Sequence, residues 1–153
     1  MNVVNSMKKS TKVLTPKKLQ NKIVKNLISI EKMSFLEQYA IFMGKAQIIE
    51  LALSGLLIHK YKYTENKVEK FTLGTIINEL EKSGLRPDLI VLLKELLKYR
   101  NSLAHEFLGI TAMGNKLAGN GFERLQYKGL HRGLYQAEQV IHVYDFLTEN
   151  KYI

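Results

Sequence analysis

The spacing of the apolar residues constrains this chain more than any other feature of its sequence. Apolar side chains recur three and four residues apart over most of its length, and no long segment alternates between apolar and polar residues. This repeat matches the turn of an α-helix, so each segment predicts an amphipathic helix that buries one face. We therefore predict an all-α fold, an up-and-down bundle of four to five helices.

A capping threonine places the first predicted helix, and an apolar pattern places the second. Thr15 and Pro16 suit the start of a helix whose inward face would carry Ile23 and Leu27. The second helix is predicted over residues 34–61. Apolar residues lie nearly all round its middle, so we predict that this helix is central and mostly buried.

Glycines and a threonine mark the remaining boundaries. Thr72 and Gly84 are typical of the start and the end of a third helix, and Gly109 is predicted to end a leucine-rich fourth helix. Six of the ten glycines fall within residues 109–133, a density that predicts a loop. A final helix is predicted over residues 134–150.

The length and the composition favour one domain inside a cell. A chain of 153 residues can bury one core, which we place at residues 15–153 after a flexible basic segment over residues 1–14. There is no cysteine, which fits a reducing compartment. The best membrane candidate, LALSGLLIH, has nine residues, whereas a bilayer requires about 20. We therefore expect a cytoplasmic protein without a membrane partner.

The positive charge is concentrated at the N-terminus. The net charge is +9, and residues 1–30 supply seven lysines and no acid, so the rest of the chain carries only +2. Such a field attracts phosphate backbones or acidic partners, while a solvated, solubilising arm is an equally good interpretation. The first helix and the predicted loop supply the candidates for nucleic-acid binding, which are Lys18, Lys22, Lys25, His131 and Arg132.

One short motif concentrates the candidate chemistry. RNSLAH, residues 100–105, places Arg100 and His105 five positions apart near the predicted end of the fourth helix. Five residues turn a helix by roughly 500°, so these two side chains point about 140° apart, whereas Asn101 and His105 share one face. Cations near a helix C-terminus also stabilise its dipole by about 0.3–1 kcal/mol. On spacing alone, a helix end is therefore the stronger interpretation.

In its context the motif resembles the HEPN superfamily (higher eukaryotes and prokaryotes nucleotide-binding), whose hallmark is an arginine, four to six further residues and a histidine. A polar residue, often asparagine, commonly follows that arginine, as Asn101 does here, and the resemblance spans roughly residues 35–148. It implies a helical bundle that dimerises with its two motifs facing each other. It also implies a metal-independent endoribonuclease, with no cofactor, that leaves a 2′,3′-cyclic phosphate and a 5′-hydroxyl.

The residue types suit that chemistry. Histidine titrates near neutral pH and can take or give a proton, and the guanidinium of arginine offers phosphate oxygens a planar fork. Attack by the 2′-hydroxyl of RNA needs no metal to create a nucleophile. One histidine is not easily both acid and base, and a two-fold dimer would bring two copies together. We thus predict Arg100, Asn101 and His105 as catalytic residues that act on RNA.

Three further residues are predicted to support the motif. Glu50 interrupts an apolar helix, and because a buried carboxylate needs a partner it would orient Arg100 or His105. A solvent-facing Glu50 is an equal alternative. Tyr99 would stack on a base, although packing is the commoner role for such a tyrosine. Glu106 would raise the basicity of His105, with a solvated side chain as the alternative.

The resemblance also implies partners and leaves rivals open. Such proteins often act as toxins or defence effectors, and many are restrained by an antitoxin or a small nucleotidyltransferase. One rival interpretation is a non-catalytic HEPN-like module that binds nucleic acid, a nucleotide or a protein. Another is an adaptor whose basic arm binds an acidic partner. Exposure of Arg100 and His105 in one cleft would favour the enzyme, and burial would favour a scaffold.

Overall fold

Helices account for the regular structure throughout the described chain. The structure, a computed structural model, describes the backbone of residues 13–117 and 120–153 and the side chains of residues 13–105 and 127–153. These ranges contain no strand, so the all-α prediction is confirmed. The helices are, in order, α1 (Pro16–Ile30), α2 (Phe35–His59), α3 (Glu65–Val68), α4 (Leu73–Lys82), α5 (Pro87–Leu117) and α6 (Asn120–Glu149). The described part exceeds the predicted four to five helices because α3 forms within a short connector.

Local side-chain caps set the helix boundaries that the sequence predicts. The Thr15 hydroxyl accepts from the backbone N–H of Lys18 at 3.3 Å at the start of α1. At the start of α2, Ser34 and Glu37 form a capping box, in which each side chain accepts from the backbone N–H of the other residue. Gly84 follows α4 with a φ of 88°, a left-handed conformation that glycine adopts without strain.

One apolar core takes buried residues from every described helix. Phe42 of α2 is its largest fully buried side chain. The leucine-rich helix buries one face, as its apolar spacing predicts, and the buried leucines on α5 are Leu89, Leu93, Leu96 and Leu103. Burial of one leucine contributes about 1.5–3 kcal/mol, so this stripe fixes the rotation of α5 about its own axis.

The loop predicted over residues 109–133 is wrong, because both described parts of that segment are helical. α5 continues past Gly109 to Leu117, and α6 already begins at Asn120. Glycine density predicts a loop since each helical glycine costs about 1 kcal/mol relative to alanine. Here the packing of α6 against the rest of the bundle outweighs that cost.

Two of these glycines lie where α6 crosses α5. A methyl group at Gly133 would come within 3.0 Å of the Leu103 side chain and 3.1 Å of the Phe42 ring. A methyl group at Gly129, one turn earlier, would lie 3.9 Å from the Leu103 side chain. Because neither position carries a side chain, α6 approaches α5 and α2 closely. In the described fold, α5 and α6 form the most extensive helix pair.

α2 is not the mostly buried helix that its composition predicts. Its buried residues form one stripe, whereas Ile48 and Leu51 on the outer side are 64% and 75% exposed. The helix has 25 residues and a most apolar window of mean hydropathy 1.6, so by length and composition it is able to cross a membrane. The nine-residue apolar segment identified in the sequence therefore understated the apolar length of α2. Core helices of soluble proteins meet the same criterion of length and hydropathy.

A charged cluster lies where α1, α2 and α6 meet. Glu138 of α6 is 1% exposed, and its Oε1 lies 2.5 Å from the Lys45 ammonium on α2. Its Oε2 accepts from Asn26 of α1 at 2.8 Å and lies 3.4 Å from His142 Nε2. Burial raises the pKa of Glu138, but the hydrogen bond from Asn26 and the positive charge of Lys45 outweigh burial, so the pKa lies below its usual value.

Gly133→Ala is expected to lower the free energy of unfolding by roughly 1 kcal/mol, because overpacking of Leu103 and Phe42 outweighs the gain in helix propensity. Gly44→Ala is the matched control, since nothing lies within 4 Å of a methyl group there. It is expected to stabilise the chain by about 0.8 kcal/mol. Urea unfolding followed by circular dichroism measures both variants, and equal stabilisation of both would show that the helix crossing is not tight.

Glu138→Gln is expected to lower the free energy of unfolding at neutral pH by roughly 3 kcal/mol, because the Lys45 ammonium loses its buried partner. The folded-state pKa of Glu138 is lowered. Its stabilisation is therefore complete above the unfolded value of 4.5 and is lost as pH falls through the folded value. The difference in the free energy of unfolding between wild type and Glu138→Gln, measured by urea unfolding, should shrink as the pH falls through the folded-state pKa of Glu138.

Glu50→Gln supplies the control for this experiment. Glu50 is half-buried, and its carboxylate makes no hydrogen bond or ion pair with a described residue. Its substitution should change the free energy of unfolding by less than about 0.5 kcal/mol. The charged cluster would be unimportant for stability if Glu138→Gln and Glu50→Gln unfolded alike at neutral pH.

Candidate functional site

The RNSLAH motif lies within α5 and not at its end. α5 runs from Pro87 to Leu117, so His105 precedes the last helical residue by about three turns. The favourable interaction of cations with a helix dipole falls off within the last turn. The helix-end interpretation of Arg100 and His105 is therefore wrong.

The three predicted catalytic residues adjoin along the surface of α5. Asn101 and His105 are exposed, and Arg100 is half-buried. The Arg100 guanidinium donates from Nη1 to Asn101 Oδ1 at 3.3 Å, so this long side chain bends from its own side of the helix towards Asn101. Because Asn101 and His105 are four residues apart, they lie on the same face, one turn from each other.

The exposed face of α5 carries lysines around these residues, with Glu95 beside them. Four exposed side chains follow one another at spacings of four, three and four residues, which places them on one stripe. This basic stripe consists of Lys94, Lys98, Asn101 and His105. Leu96 and Leu103 are buried on the opposite side of α5, and their burial turns the stripe towards solvent.

The two lysines of the basic stripe differ in their partners. Lys94 is paired, since its ammonium lies 2.7 Å from both carboxylate oxygens of Glu81 on α4. Lys98 makes no hydrogen bond or ion pair with a described residue, and it lines a shallow depression beside Asn101. It is therefore available to bind a phosphate next to the motif. Sequence reasoning missed both lysines, although their helical spacing from Asn101 and His105 is visible in the sequence.

Arg100 and His105 do not form one constellation within a single chain. Their side chains leave α5 about 140° apart. In the described part of the chain no hydrogen bond joins them, and the polar contact of the Arg100 side chain is with Asn101. A reacting group that contacts both residues must therefore span the outer surface of α5 or meet a second copy of the chain.

Glu50, the supporting acid whose side chain the structure describes, makes no polar contact with the motif. Glu50 makes no hydrogen bond or ion pair with Arg100 or His105. Only its backbone carbonyl has a side-chain partner, the hydroxyl of Ser54 at 2.9 Å. The side chain of Glu106 lies outside the described residues, so its role stays a prediction.

Three other predicted residues come together in a groove between α5 and α6, here called the α5–α6 groove. They are Tyr99 from α5 and His131 and Arg132 from α6. His131 and Arg132 reach the groove from a helix, because the loop predicted to carry them is helical where it is described. Tyr99 and Asn101 leave α5 about 160° apart, so the groove and the basic stripe lie on opposite sides of that helix.

The basic face predicted for α1 is exposed. Lys18, Lys22 and Lys25 project from the side of α1 opposite its buried Ile23 and Leu27. None of the three lysines makes a side-chain hydrogen bond or ion pair with a described residue. The lysines at positions 8, 9 and 12 lie outside the described residues.

The charged cluster around Glu138 is the other feature that sequence reasoning missed. Glu138 and His142 stand four residues apart in the last helix, which signals that they share a face. The sequence does not show that Lys45 and Asn26 reach the same place from two other helices. That juxtaposition depends on the packing of α1, α2 and α6.

Comparison of the chain with protein-family models, with curated proteins and with solved structures found no match. The functional argument therefore depends on the geometry of these residues. The motif on the exposed face of α5, the lysines of α1 and the α5–α6 groove are the three surfaces that it has to explain.

Replacement of Lys18, Lys22 and Lys25 together by alanine is expected to weaken the binding of single-stranded RNA. Each phosphate contact adds about 0.7 to the slope of log affinity against log salt concentration, so three contacts account for about 2. The slope should fall by roughly that amount. Fluorescence anisotropy of a labelled RNA over a range of salt concentrations measures it.

The control removes the same charge from another exposed region. Lys60, Lys67 and Lys70 are exposed residues between the end of α2 and the start of α4. Their triple alanine variant should keep most of the salt slope if α1 is a specific binding face. An equal loss in both variants would mean that RNA responds only to the net charge of the chain.

Proposed function

We propose that this protein is a metal-independent endoribonuclease of HEPN type that acts on RNA as a homodimer. One observation carries the proposal. Asn101 and His105 share an exposed face of α5, and Asn101 Oδ1 accepts from the Arg100 guanidinium at 3.3 Å. An acid–base group, a permanent cation and a hydrogen-bonding amide thus lie within about one and a half helical turns. An unpaired Lys98 beside them adds attraction for phosphate.

In the proposed reaction the motif cleaves RNA without a metal-activated nucleophile. His105 removes the proton from a 2′-hydroxyl, and the oxygen attacks the adjacent phosphorus. The bond between phosphorus and the 5′-oxygen breaks, and that oxygen takes a proton to leave as a 5′-hydroxyl. The other product carries a 2′,3′-cyclic phosphate. Arg100 stabilises the negative charge that develops on the phosphoryl oxygens, and Asn101 positions Arg100.

A homodimer would supply the second proton carrier. The histidine that accepts the proton of the nucleophile does not protonate the leaving oxygen in the same step, and each motif has one histidine. A two-fold axis beside α5 would place His105 opposite the partner's His105. It would also let Arg100, which leaves α5 about 140° from His105, stabilise charge in the site of the other protomer.

The proposed biological role follows the resemblance of the motif to HEPN proteins. We assign this chain as a cytoplasmic toxin or defence effector, restrained by a cognate antitoxin or a nucleotidyltransferase partner. The absence of cysteine fits a reducing compartment. The unpaired lysines of α1 suit a protein that attracts RNA before it cleaves it.

The second candidate is a non-catalytic HEPN-like module that binds nucleic acid, a nucleotide or a protein. The observation that favours it is the divergence of Arg100 and His105 by about 140° on one helix. A binding module needs the exposed cations of α1 and of the basic stripe, and it does not need an acid and a cation at one phosphorus. The two candidates therefore differ in whether RNA is cleaved and not in whether RNA is bound.

Arg100→Ala and His105→Ala are each expected to reduce RNA cleavage by roughly 100-fold or more, because they remove the charge stabilisation and the proton carrier. Purified proteins are incubated with a mixed RNA pool and with tRNA in EDTA. Analysis of the product ends then distinguishes a 2′,3′-cyclic phosphate and a 5′-hydroxyl from the ends that other nucleases leave.

The matched controls are His59→Ala and Arg86→Ala, which remove the same side chains outside the motif. His59 is exposed at the end of α2, and Arg86 forms a surface ion pair with Asp88. Both controls should cleave RNA like wild type, because exposed pairs contribute little to stability. If wild type and the motif variants, all folded and dimeric, yield the same products, the enzyme is refuted and the binding module stands.

A further inference from the structure

The α5–α6 groove carries residues that the proposed reaction does not use. Its lining consists of Tyr99, His131, Arg132, Tyr135, Gln136 and Gln139. These six residues include two aromatic rings and an arginine, and none of them is acidic. Aromatic rings beside a cation in a concave surface bind an unstacked base through its π-face and the neighbouring phosphate through charge.

Gln136 adds a fixed hydrogen-bond acceptor to the groove. The residue is 8% exposed, and its Nε2 donates to the Leu92 carbonyl of α5 at 2.9 Å. A carbonyl only accepts, so the amide nitrogen must face Leu92 and the amide oxygen stays available. No described residue donates to that oxygen. An acceptor of this kind suits the exocyclic amino group of adenine or cytosine.

Arg132 supplies an unpaired cation at the edge of the groove. It is exposed and makes no hydrogen bond or ion pair with a described residue. Its neighbour His131 is engaged differently, since its Nδ1 lies 3.6 Å from a Glu31 carboxylate oxygen. The planar fork of a guanidinium matches two phosphate oxygens, and no described residue occupies that of Arg132, so Arg132 is the phosphate contact of this surface.

We infer that the α5–α6 groove binds one unpaired nucleotide of the RNA strand, with its base against Tyr99 and Tyr135 and its phosphate on Arg132. The inference rests on the proposed function, which makes RNA the substrate. Because the groove and the basic stripe of one chain lie about 160° apart around α5, the nucleotide in the groove is not the one on which His105 of the same chain acts. The groove therefore selects the RNA, and Gln136 favours adenine or cytosine at that position.

The test uses a short 2′-O-methyl RNA that carries 2-aminopurine, a base whose fluorescence is quenched by stacking. Because this base lacks the 6-amino group of adenine, the probe reports stacking and not the contact with Gln136. The blocked 2′-oxygen prevents cleavage by the proposed mechanism. Wild type should quench the probe. Tyr135→Leu should weaken binding roughly 5- to 100-fold and abolish quenching, whereas Tyr135→Phe, which keeps the ring, should behave like wild type. In competition, unlabelled 2′-O-methyl oligoadenylate should displace the probe better than oligouridylate.

A second variant keeps the test decisive if Tyr135→Leu fails to fold. Arg132→Ala removes an exposed side chain, so the fold is retained, and it should lower the salt slope of binding by about 0.7. Lys70→Ala removes one exposed charge outside the groove and should leave binding unchanged. Equal weakening by Arg132→Ala and Lys70→Ala would overturn the inference, because binding would then follow net charge.

Three further outcomes separate this inference from the proposed function. If wild type neither binds nor quenches the probe, the groove is not an RNA site, and a protein partner becomes the remaining candidate for it. Quenching that depends on Tyr135, without cleavage of unmodified RNA, supports the groove and refutes the ribonuclease. Cleavage of unmodified RNA without quenching that depends on Tyr135 supports the ribonuclease and refutes the groove.

Discussion

The close crossing of α6 over α5 is the contact on which the rest of the described structure depends. At Gly133 the backbone packs closely, because a methyl group there would lie 3.0 Å from Leu103 of α5 and 3.1 Å from Phe42 of α2. The crossing buries Leu103 and so fixes how α5 is rotated about its axis. Because tightly packed interiors tolerate neither voids nor overlap, this rotation has one solution. Every candidate functional residue of α5 takes its direction from it.

That rotation separates the candidate residues into two surfaces with different chemistry. Asn101 and His105 face solvent beside Lys98, which has no described partner, and the Arg100 guanidinium bends round to donate to Asn101. On the other side of α5, Tyr99 faces α6 and lines the groove. One surface offers proton transfer and charge, and the other offers aromatic rings with a neighbouring cation. A strand of RNA that contacts both would be gripped at one nucleotide and cleaved at another.

Features set by neighbours in the sequence could be predicted, and those set by distant packing could not. The Ser34 capping box and the left-handed Gly84 are local, since the cap involves residues three positions apart and glycine alone tolerates that conformation. The predicted loop over residues 109–133 is wrong because the sequence does not reveal that Gly129 and Gly133 meet another helix. For the same reason, an apolar composition did not reveal that Ile48 and Leu51 stay exposed on α2.

The sequence by itself determined the all-helical class, the starts of α1, α2 and α4, the basic face of α1 and the shared face of Asn101 and His105. These follow from hydrogen bonds within one turn and from the helical period, both of which act over a few residues. Only the tertiary structure decided the length of α5, the meeting of Tyr99 with Arg132, and the burial of Glu138 against Lys45 and Asn26. Those contacts join residues far apart in the chain, and they form only when apolar burial on several helices is satisfied at once.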